Sequence, residues 1–156
     1  MNMKRILPVC GVIVVALAAV LSSGDVVRSA QHGDDQKVVV HLSNYTADLH
    51  AAFMALKLAN AMLDAGAEVT VFLDLEGVRL ADSGAPLNVM WGTAHVPLSK
   101  HYETFVEGGG KVILCPHCAA TAGVETADLR DGAMIGIPEE QTIPKMLLAA
   151  DKILDF

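Results

Sequence analysis

Apolar residues are concentrated in five short runs along the chain. Residues 37–43 (KVVVHLS), 67–73 (AEVTVFL) and 111–114 (KVIL) are almost continuously apolar, which is typical of parallel strands that are buried on both faces. Residues 133–135 and 152–156 are two further short segments of this kind. The pattern therefore predicts five strands.

Segments with helical periodicity separate these runs. Residues 47–65 repeat apolar side chains at helical spacing, and Gly66 stands where a C-terminal helix cap belongs. The remaining connecting segments are predicted as helices at 98–107, 118–122, 126–130 and 143–150, a short turn or helical piece at 75–81, and a long loop at 82–97.

The alternation of strand and helix predicts an α/β fold. We expect a three-layer α/β/α sandwich around a mostly parallel five-stranded sheet with right-handed crossovers. In such sheets the reactive groups gather at the carboxyl ends of the strands. The residues expected at that edge are Asn44, Tyr45, Asp74, Glu76, the Cys115–Cys118 turn and Gly136.

The N-terminal residues have the character of a signal peptide. Lys4 and Arg5 precede the uncharged run 6–21, and small residues follow it. We predict a signal peptide, or an N-terminal anchor, over residues 1–24, a flexible leader over 25–36 and one domain over 37–156. This organisation predicts a periplasmic or secreted protein, anchored to the membrane if the signal is not cleaved.

Composition narrows the class of partner. The 156 residues leave room for one domain with a hydrophobic core. The residues after position 24 include nine of the 11 Lys and Arg residues and all 18 Asp and Glu residues. This acidic balance argues against a protein that binds nucleic acid through its phosphates. The triple glycine at 108–110 precedes a strand rather than opening a helix, so we predict no nucleotide or other cofactor.

The Cys115-Pro116-His117-Cys118 turn is the main chemical feature of the chain. A strand runs directly into it and a helix follows, so Cys118 is expected near a helix N-terminus, where a thiol pKa is lowered. Cys115 is expected to be the sheltered partner that resolves an oxidised or persulfidated Cys118. The alternative interpretations are an inert local disulfide and two thiols lining the core. His117 is predicted to tune the pKa of the thiols or to join them as a soft-metal ligand, or else to be a solvated residue.

The same tetrapeptide occurs in the active sites of thioredoxin-fold disulfide oxidases. In those proteins the motif comes early, before most of the sheet, and is followed by a long helix, a strand with a cis-proline and a hairpin. Only 38 residues follow Cys118 in this chain. The order of elements therefore argues against a thioredoxin fold.

Nearly all of the predicted domain resembles the DsrE/DsrF-like sulfur-relay family. The resemblance lies in residues 38–81, 114–136 (LCPHCAATAGVETADLRDGAMIG) and 150–156 (ADKILDF). It implies a DsrE-like fold in which Cys118, within CAATAGV, carries persulfide sulfur, and Cys115 is a thiol additional to those of single-cysteine members.

The resemblance also implies that residues after the first strand line the pocket and that the chain assembles with copies of itself. Asn44 and Tyr45 are the residues concerned, although turn chemistry alone accounts for an asparagine there. The expected assembly is a homo-oligomer, as a trimer or hexamer.

Three classes of function compete at this point. The first is an exported persulfide-carrying sulfur-transfer or relay protein, at most a sulfurtransferase-like carrier, whose partner is a sulfur donor or acceptor protein or a small sulfur compound. The second is a dithiol-disulfide redox protein acting through Cys115 and Cys118. The third is a soft-metal protein for copper or zinc, for which the sequence supplies too few ligands to predict a site. His41, within the first strand, is interpreted as a hydrogen-bonded core histidine.

Overall fold

The computed structural model describes residues 36–93 and 95–156. The predicted signal peptide or anchor (1–24) and all but the last residue of the predicted leader lie outside the described residues. Within them, five strands are present: β1 (Lys37–Leu42), β2 (Glu68–Leu73), β3 (Lys111–Leu114), β4 (Ala133–Ile135) and β5 (Lys152–Asp155).

In the same part of the chain, four α-helices and three short 3₁₀ helices connect the strands. The α-helices are α1 (Leu49–Asp64), α2 (Leu98–Glu107), α3 (Pro116–Ala122) and α4 (Thr142–Ala149). The 3₁₀ helices span Leu75–Ala81, Thr126–Asp128 and Pro138–Glu140. The first of these, Leu75–Ala81, is called the 3₁₀ segment below. No helix of the described residues has both the length and the apolar character needed to cross a membrane.

The strands form one sheet in the order β4-β3-β2-β1-β5, and each pair of neighbours is parallel. The chain moves in one direction from β1 to β4 and then returns to the opposite side of β1 for β5. Because parallel crossovers are right-handed, this reversal places α4 on the face opposite α1 and α2. The predicted α/β fold with a mostly parallel five-stranded sheet is therefore confirmed.

Burial along β1 explains its continuous apolar run. Val38, Val40 and Leu42 belong to the main core cluster. Val39 points to the other face because side chains alternate along a strand, and it is only 2% exposed. Both faces of β1 are thus covered, which is why the sequence there is apolar without alternation.

The element boundaries agree closely with the sequence pattern. The Asp48 side chain caps α1 by accepting a hydrogen bond from the Ala51 N–H at 3.0 Å. Gly66 follows the helix with a φ of 91°. The main difference is at α3, which begins at Pro116 and not near Cys118, because proline suits the first position of a helix. The 3₁₀ helix at Pro138–Glu140 was not predicted.

Candidate functional site

The carboxyl ends of β1, β2 and β3 lie side by side. Leu42 is in register with Leu73, and Leu73 with Leu114. The first residue beyond each strand continues this alignment: the Cys115 N–H donates to the Leu73 carbonyl at 2.8 Å. The chain segments that follow three strands therefore meet at one edge, as the parallel topology requires.

The two cysteines occupy the start of α3. Cys115 is the N-cap residue, with an extended backbone (φ −60°, ψ 121°), and its carbonyl accepts the Ala119 N–H at 2.9 Å. Pro116 is the first helical residue, so Cys118 lies in the first turn. Both thiols are free and partly exposed, and the Cys115 thiol lies close enough to Cys118 to raise the pKa of the Cys118 thiol. The structure therefore holds a neighbouring dithiol.

The 3₁₀ segment lies against α3 and presents a backbone donor to the cysteine. Leu75 has a φ of 42°, which a leucine rarely adopts. Its N–H faces the Cys118 sulfur and lowers the pKa of that thiol. The Leu75 side chain is 64% exposed, so side-chain burial does not explain the strained backbone. Strain of this kind at a site is a reason to look for function there.

Gly77 allows the 3₁₀ segment to approach the end of β1. Its N–H donates to the Ser43 carbonyl at 2.8 Å. A Cβ atom at this position would lie 2.1 Å from the Leu42 carbonyl oxygen. Only glycine fits such a backbone contact, so Gly77 sets the position of the segment that contains Leu75.

The predicted lowering of the Cys118 pKa is wrong: the net shift is upward. Burial of the thiol is the largest cause, and the hydrogen bond to Cys115 also favours the neutral form. The charges of Cys115 and Asp74 raise the pKa further, and together these effects outweigh the Leu75 N–H. α3 has only seven residues, so its dipole is small in comparison with a long helix.

His41 is hydrogen-bonded between two carboxylates at the same edge. Its Nε2 lies 2.9 Å from Asp74 Oδ1 and its Nδ1 lies 2.7 Å from Asp155 Oδ1. Ser43 Oγ donates to Asp74 at 2.8 Å. Burial is the largest single influence and lowers the pKa of His41, but the two carboxylates raise it by more in sum. The predicted hydrogen bonding of His41 is present, but its side chain is 23% exposed and does not belong to the core. The ring holds Asp74, one of the carboxylates that raise the pKa of His41 and a charge that acts on Cys118.

The other residues predicted at this edge lie in different surroundings. Tyr45 is 1% exposed and donates its hydroxyl hydrogen to the Pro86 carbonyl, so it belongs to the core and does not line the space beside Cys118. Asn44 is exposed on the preceding turn. His117 is exposed and faces a cavity together with Cys118. Gly136 donates its N–H to the Leu114 carbonyl at 2.9 Å and stays at the sheet edge.

A cavity of about 400 Å³ lies between the 3₁₀ segment and α3. Its walls include Leu75 and Arg79 on one side and Cys118 and Ala122 on the other. Sequence reasoning missed both Leu75 and Arg79. The resemblance of residues 38–81 to a family with a site at this edge was the available signal, but it gave no reason to choose these two side chains.

No group of three or more His, Cys, Asp and Glu side chains is arranged to hold a metal ion within residues 36–93 and 95–156. The donors at the edge instead pair with one another, as His41 does with its two carboxylates. What the described site offers chemically is a nucleophilic thiol, a second thiol in contact with it and a backbone donor.

The groups around Cys118 predict which of two substitutions changes the pKa of its thiol more. Burial remains in both variants, but Cys115→Ala removes the effects of the Cys115 thiol that raise the pKa of Cys118, and Asp74→Asn removes a smaller effect of a charge. We expect both substitutions to lower that pKa, Cys115→Ala by more. The pH dependence of iodoacetamide alkylation at Cys118 measures it, with Asp74→Asn studied in the Cys115→Ala background. An unchanged or higher pKa in either variant would contradict the assigned causes.

This chain is an α/β protein with a parallel five-stranded sheet and a cysteine-bearing turn after β3. Residues 36–156 match the DsrE/DsrF-like family. The chain belongs to that family, which is linked to sulfur relay. This confirms the family and fold expected from the resemblance, while the role of the CPHC turn stays a prediction. No curated protein matched the chain.

Solved structures share the fold. The crystal structure of the ychN protein from E. coli is similar, with a TM-score of 0.62 and 25% identity, over 78% of this chain and 99% of that one. A protein of unknown function, MTH1491 from Methanobacterium thermoautotrophicum, has a TM-score of 0.58 and 15% identity, over 77% of this chain and 99% of that one. At 15% identity the second similarity concerns the fold alone.

Proposed function

We propose that this protein accepts sulfane sulfur on Cys118 as a persulfide and passes it to an acceptor. The observation that carries the proposal is the free Cys118 thiol, which lines a cavity at the carboxyl edge of the sheet and faces the Leu75 N–H. Membership of a family linked to sulfur relay supports it.

The reaction needs only groups of the site and a persulfide donor. Cys118 loses its proton to solvent, and its thiolate attacks the outer sulfur of a donor R–S–SH. A sulfur–sulfur bond forms to Cys118, the bond between the two donor sulfurs breaks, and R–S⁻ leaves with the electron pair and takes up a proton. The Leu75 N–H favours the thiolate that starts this step.

The contact between the two thiols supports a second, competing function. Cys115 is the N-cap of α3 and Cys118 lies in its first turn, an arrangement in which the Cys115 thiolate can attack the Cys118 sulfur of a persulfide, releasing hydrosulfide and leaving a Cys115–Cys118 disulfide. The same pair can cycle between dithiol and disulfide without carrying sulfur. The dithiol-disulfide redox role is therefore the alternative to sulfur transfer.

Intact-mass measurement of the reduced protein separates these functions. After incubation with polysulfide we expect a gain of the mass of one or more sulfur atoms at Cys118, located by peptide mapping. Cys118→Ser should abolish the gain at this position, because the hydroxyl that replaces the thiol does not accept the sulfur. Cys115→Ser should retain the gain and make it longer-lived, because the thiol that would displace hydrosulfide is removed.

Cys115→Ser also serves as the matched control for loss of one thiol at the turn. If wild-type protein and Cys115→Ser both take up no sulfur while the wild type forms a reversible disulfide, the redox alternative replaces the proposal. Uptake that persists in Cys118→Ser would assign the sulfur to another residue and equally overturn it.

Export and self-assembly form part of the same proposal. Lys4, Arg5 and the apolar run 6–21 support a signal or anchor and a periplasmic or secreted location. Large apolar side chains left exposed on the α4 side, with Leu148 88% exposed, support a homo-oligomer, expected as a trimer or hexamer. The N-terminal mass of the native protein and its mass by light scattering test the two points.

A further inference from the structure

The cavity beside Cys118 is larger than an inorganic sulfur donor requires. Its volume of about 400 Å³ lies within the range of roughly 300–1,000 Å³ typical of sites for small organic ligands. Thiosulfate has only a few heavy atoms and would leave most of this space to water, since one water molecule takes about 30 Å³ of the liquid. The volume therefore favours a donor with an organic part.

The walls of the cavity include apolar surface that such a part would cover. The Leu75 side chain is exposed on the wall formed by the 3₁₀ segment, and Ala122 lies on the wall formed by α3. Covering exposed apolar surface is favourable for a ligand carbon chain and gives nothing to a hydrated oxyanion.

Arg79 places a cationic fork on the same wall as Leu75. Its Nη2 donates to the Ala122 carbonyl at 3.1 Å, and its Nη1 lies 3.5 Å from Asp82 Oδ2. A guanidinium has five N–H donors, so these two contacts, the ones found among the described residues, leave donors for a ligand. The Arg79 side chain is 42% exposed. A planar fork of this kind suits a carboxylate.

The acidic side chain in the cavity wall is already engaged elsewhere. Glu76 accepts hydrogen bonds from the backbone N–H groups of Tyr45 and Thr46 and from the Thr46 hydroxyl. Its carboxylate thus belongs to the loop after β1, and among the described residues it forms no ion pair with Arg79. A ligand carboxylate would therefore not displace an existing Glu76–Arg79 pair.

We propose that the sulfur donor of this site is a small organic persulfide that bears a carboxylate, with the carboxylate on Arg79, the carbon chain against Leu75 and the outer sulfur at Cys118. This inference rests on the proposed function, because it identifies the donor for the same cysteine. The transfer is balanced as above: the donor R–S–SH leaves as R–SH, Cys118 becomes Cys118–S–SH, and no oxidant is needed.

A matched pair of donors tests the carboxylate directly. The persulfides of N-acetylcysteine and of N-acetylcysteine amide differ in one group, a carboxylate in place of a carboxamide. The rate of sulfur gain on Cys118 is measured for each donor. To correct for intrinsic reactivity, it is divided by the rate at which the same donor transfers sulfur to a small thiol free in solution. We expect the acid to load wild-type protein about tenfold faster than the amide, a difference that one charge-assisted fork can supply.

Substitutions of Arg79 distinguish recognition from a structural role. Arg79→Gln should abolish the difference between the normalised loading rates of the acid and the amide, and Arg79→Lys should retain part of the preference because it keeps the charge without the fork. Lys145→Gln, which removes an exposed cation of α4 outside this cavity, should leave both rates unchanged.

Each other outcome overturns the inference. Equal normalised rates for acid and amide in wild-type protein would exclude a carboxylate site, and equal slowing of both donors in Arg79→Gln would show that Arg79 acts only through the position of α3. If neither organic donor loads Cys118 but polysulfide does, the inference fails and the proposed function stands. If no donor of any kind loads Cys118, both fail.

Discussion

Replacement of Gly77 by alanine is expected to lower the free energy of unfolding by about 3 kcal/mol. The added Cβ would lie 2.1 Å from the carbonyl oxygen of Leu42 and 2.9 Å from its carbonyl carbon. Both are backbone atoms of β1, so no side-chain rotation relieves the clash. Either the 3₁₀ segment moves away from β1 or the end of the strand is distorted. Urea denaturation at neutral pH measures the loss.

Gly84→Ala is the matched control for this prediction. The nearest atom to a Cβ at Gly84 is the Asp82 Oδ1 atom, at 3.2 Å, and it belongs to a side chain that can rotate. We expect a change within about 0.5 kcal/mol. Similar losses for the two variants would mean that the close approach at Gly77 is not what makes glycine necessary there.

The same substitution should also change the chemistry of the thiol. Leu75 lies two residues before Gly77, and its N–H lowers the pKa of Cys118. If the 3₁₀ segment moves outward, the donor that lowers the pKa of Cys118 is lost, while burial of the thiol, the largest cause that raises this pKa, is also reduced. A changed rate of Cys118 alkylation at neutral pH in folded Gly77→Ala protein would connect the strand contact with the reactivity of the site.

The sequence pattern was sufficient to predict the sheet because its strands are buried on both faces. Val38, Val39 and Val40 are apolar in succession since each covers one face or the other, and a surface strand would have alternated. Gly66 likewise marked the end of α1 because it follows the helix with a positive φ. These signals are local, so a single sequence contains them.

The sequence could predict only those parts of the candidate site that follow from the order of the strands along the chain. Strands that are parallel and neighbouring bring the residues after them to one edge, and this placed Cys115 and Asp74 correctly. The burial of Tyr45 was not predictable in the same way, because it depends on Pro86, 41 residues further along the chain, which accepts its hydroxyl hydrogen.

The direction of the Cys118 pKa shift was wrong for a similar reason. The position of a cysteine in the first turn of a helix can be inferred from its sequence. The burial of its thiol, the orientation of Cys115 and the charge of Asp74 arise from packing between separate elements, and together they exceed the effects that lower the pKa. Leu75 is the clearest case, since nothing about a leucine after a strand predicts a positive φ.

The structure changes the interpretation of Glu76, because its carboxylate is engaged by the loop after β1. From the sequence it was one of two carboxylates expected at the reactive edge. In the structure its Oε2 accepts the Tyr45 N–H at 2.5 Å and the Thr46 N–H at 3.1 Å, while its Oε1 accepts the Thr46 hydroxyl hydrogen at 2.5 Å. One carboxylate therefore satisfies three donors of the loop between β1 and α1.

Glu76→Ala is expected to lower the free energy of unfolding by about 2 kcal/mol. The loss leaves the Tyr45 N–H, which is partly buried, without its charged acceptor, and hydrogen bonds to charged groups contribute roughly 1.5–3 kcal/mol. Glu76→Gln should recover part of the loss because the amide oxygen can still accept one of these hydrogen bonds. Urea denaturation measures all three proteins.

A surface glutamate provides the control, and hydrogen exchange provides the local measurement. Glu103 pairs with Lys100 at 3.6 Å, with both side chains more than half exposed, so Glu103→Ala should cost less than about 1 kcal/mol. In Glu76→Ala the amides of Tyr45 and Thr46 should exchange faster than in wild-type protein, while those of β3 keep their relative protection. If Glu76→Ala proves no more costly than Glu103→Ala and the Tyr45 amide stays protected, the carboxylate does not hold this loop, and it becomes available to interact with a ligand in the cavity beside Cys118.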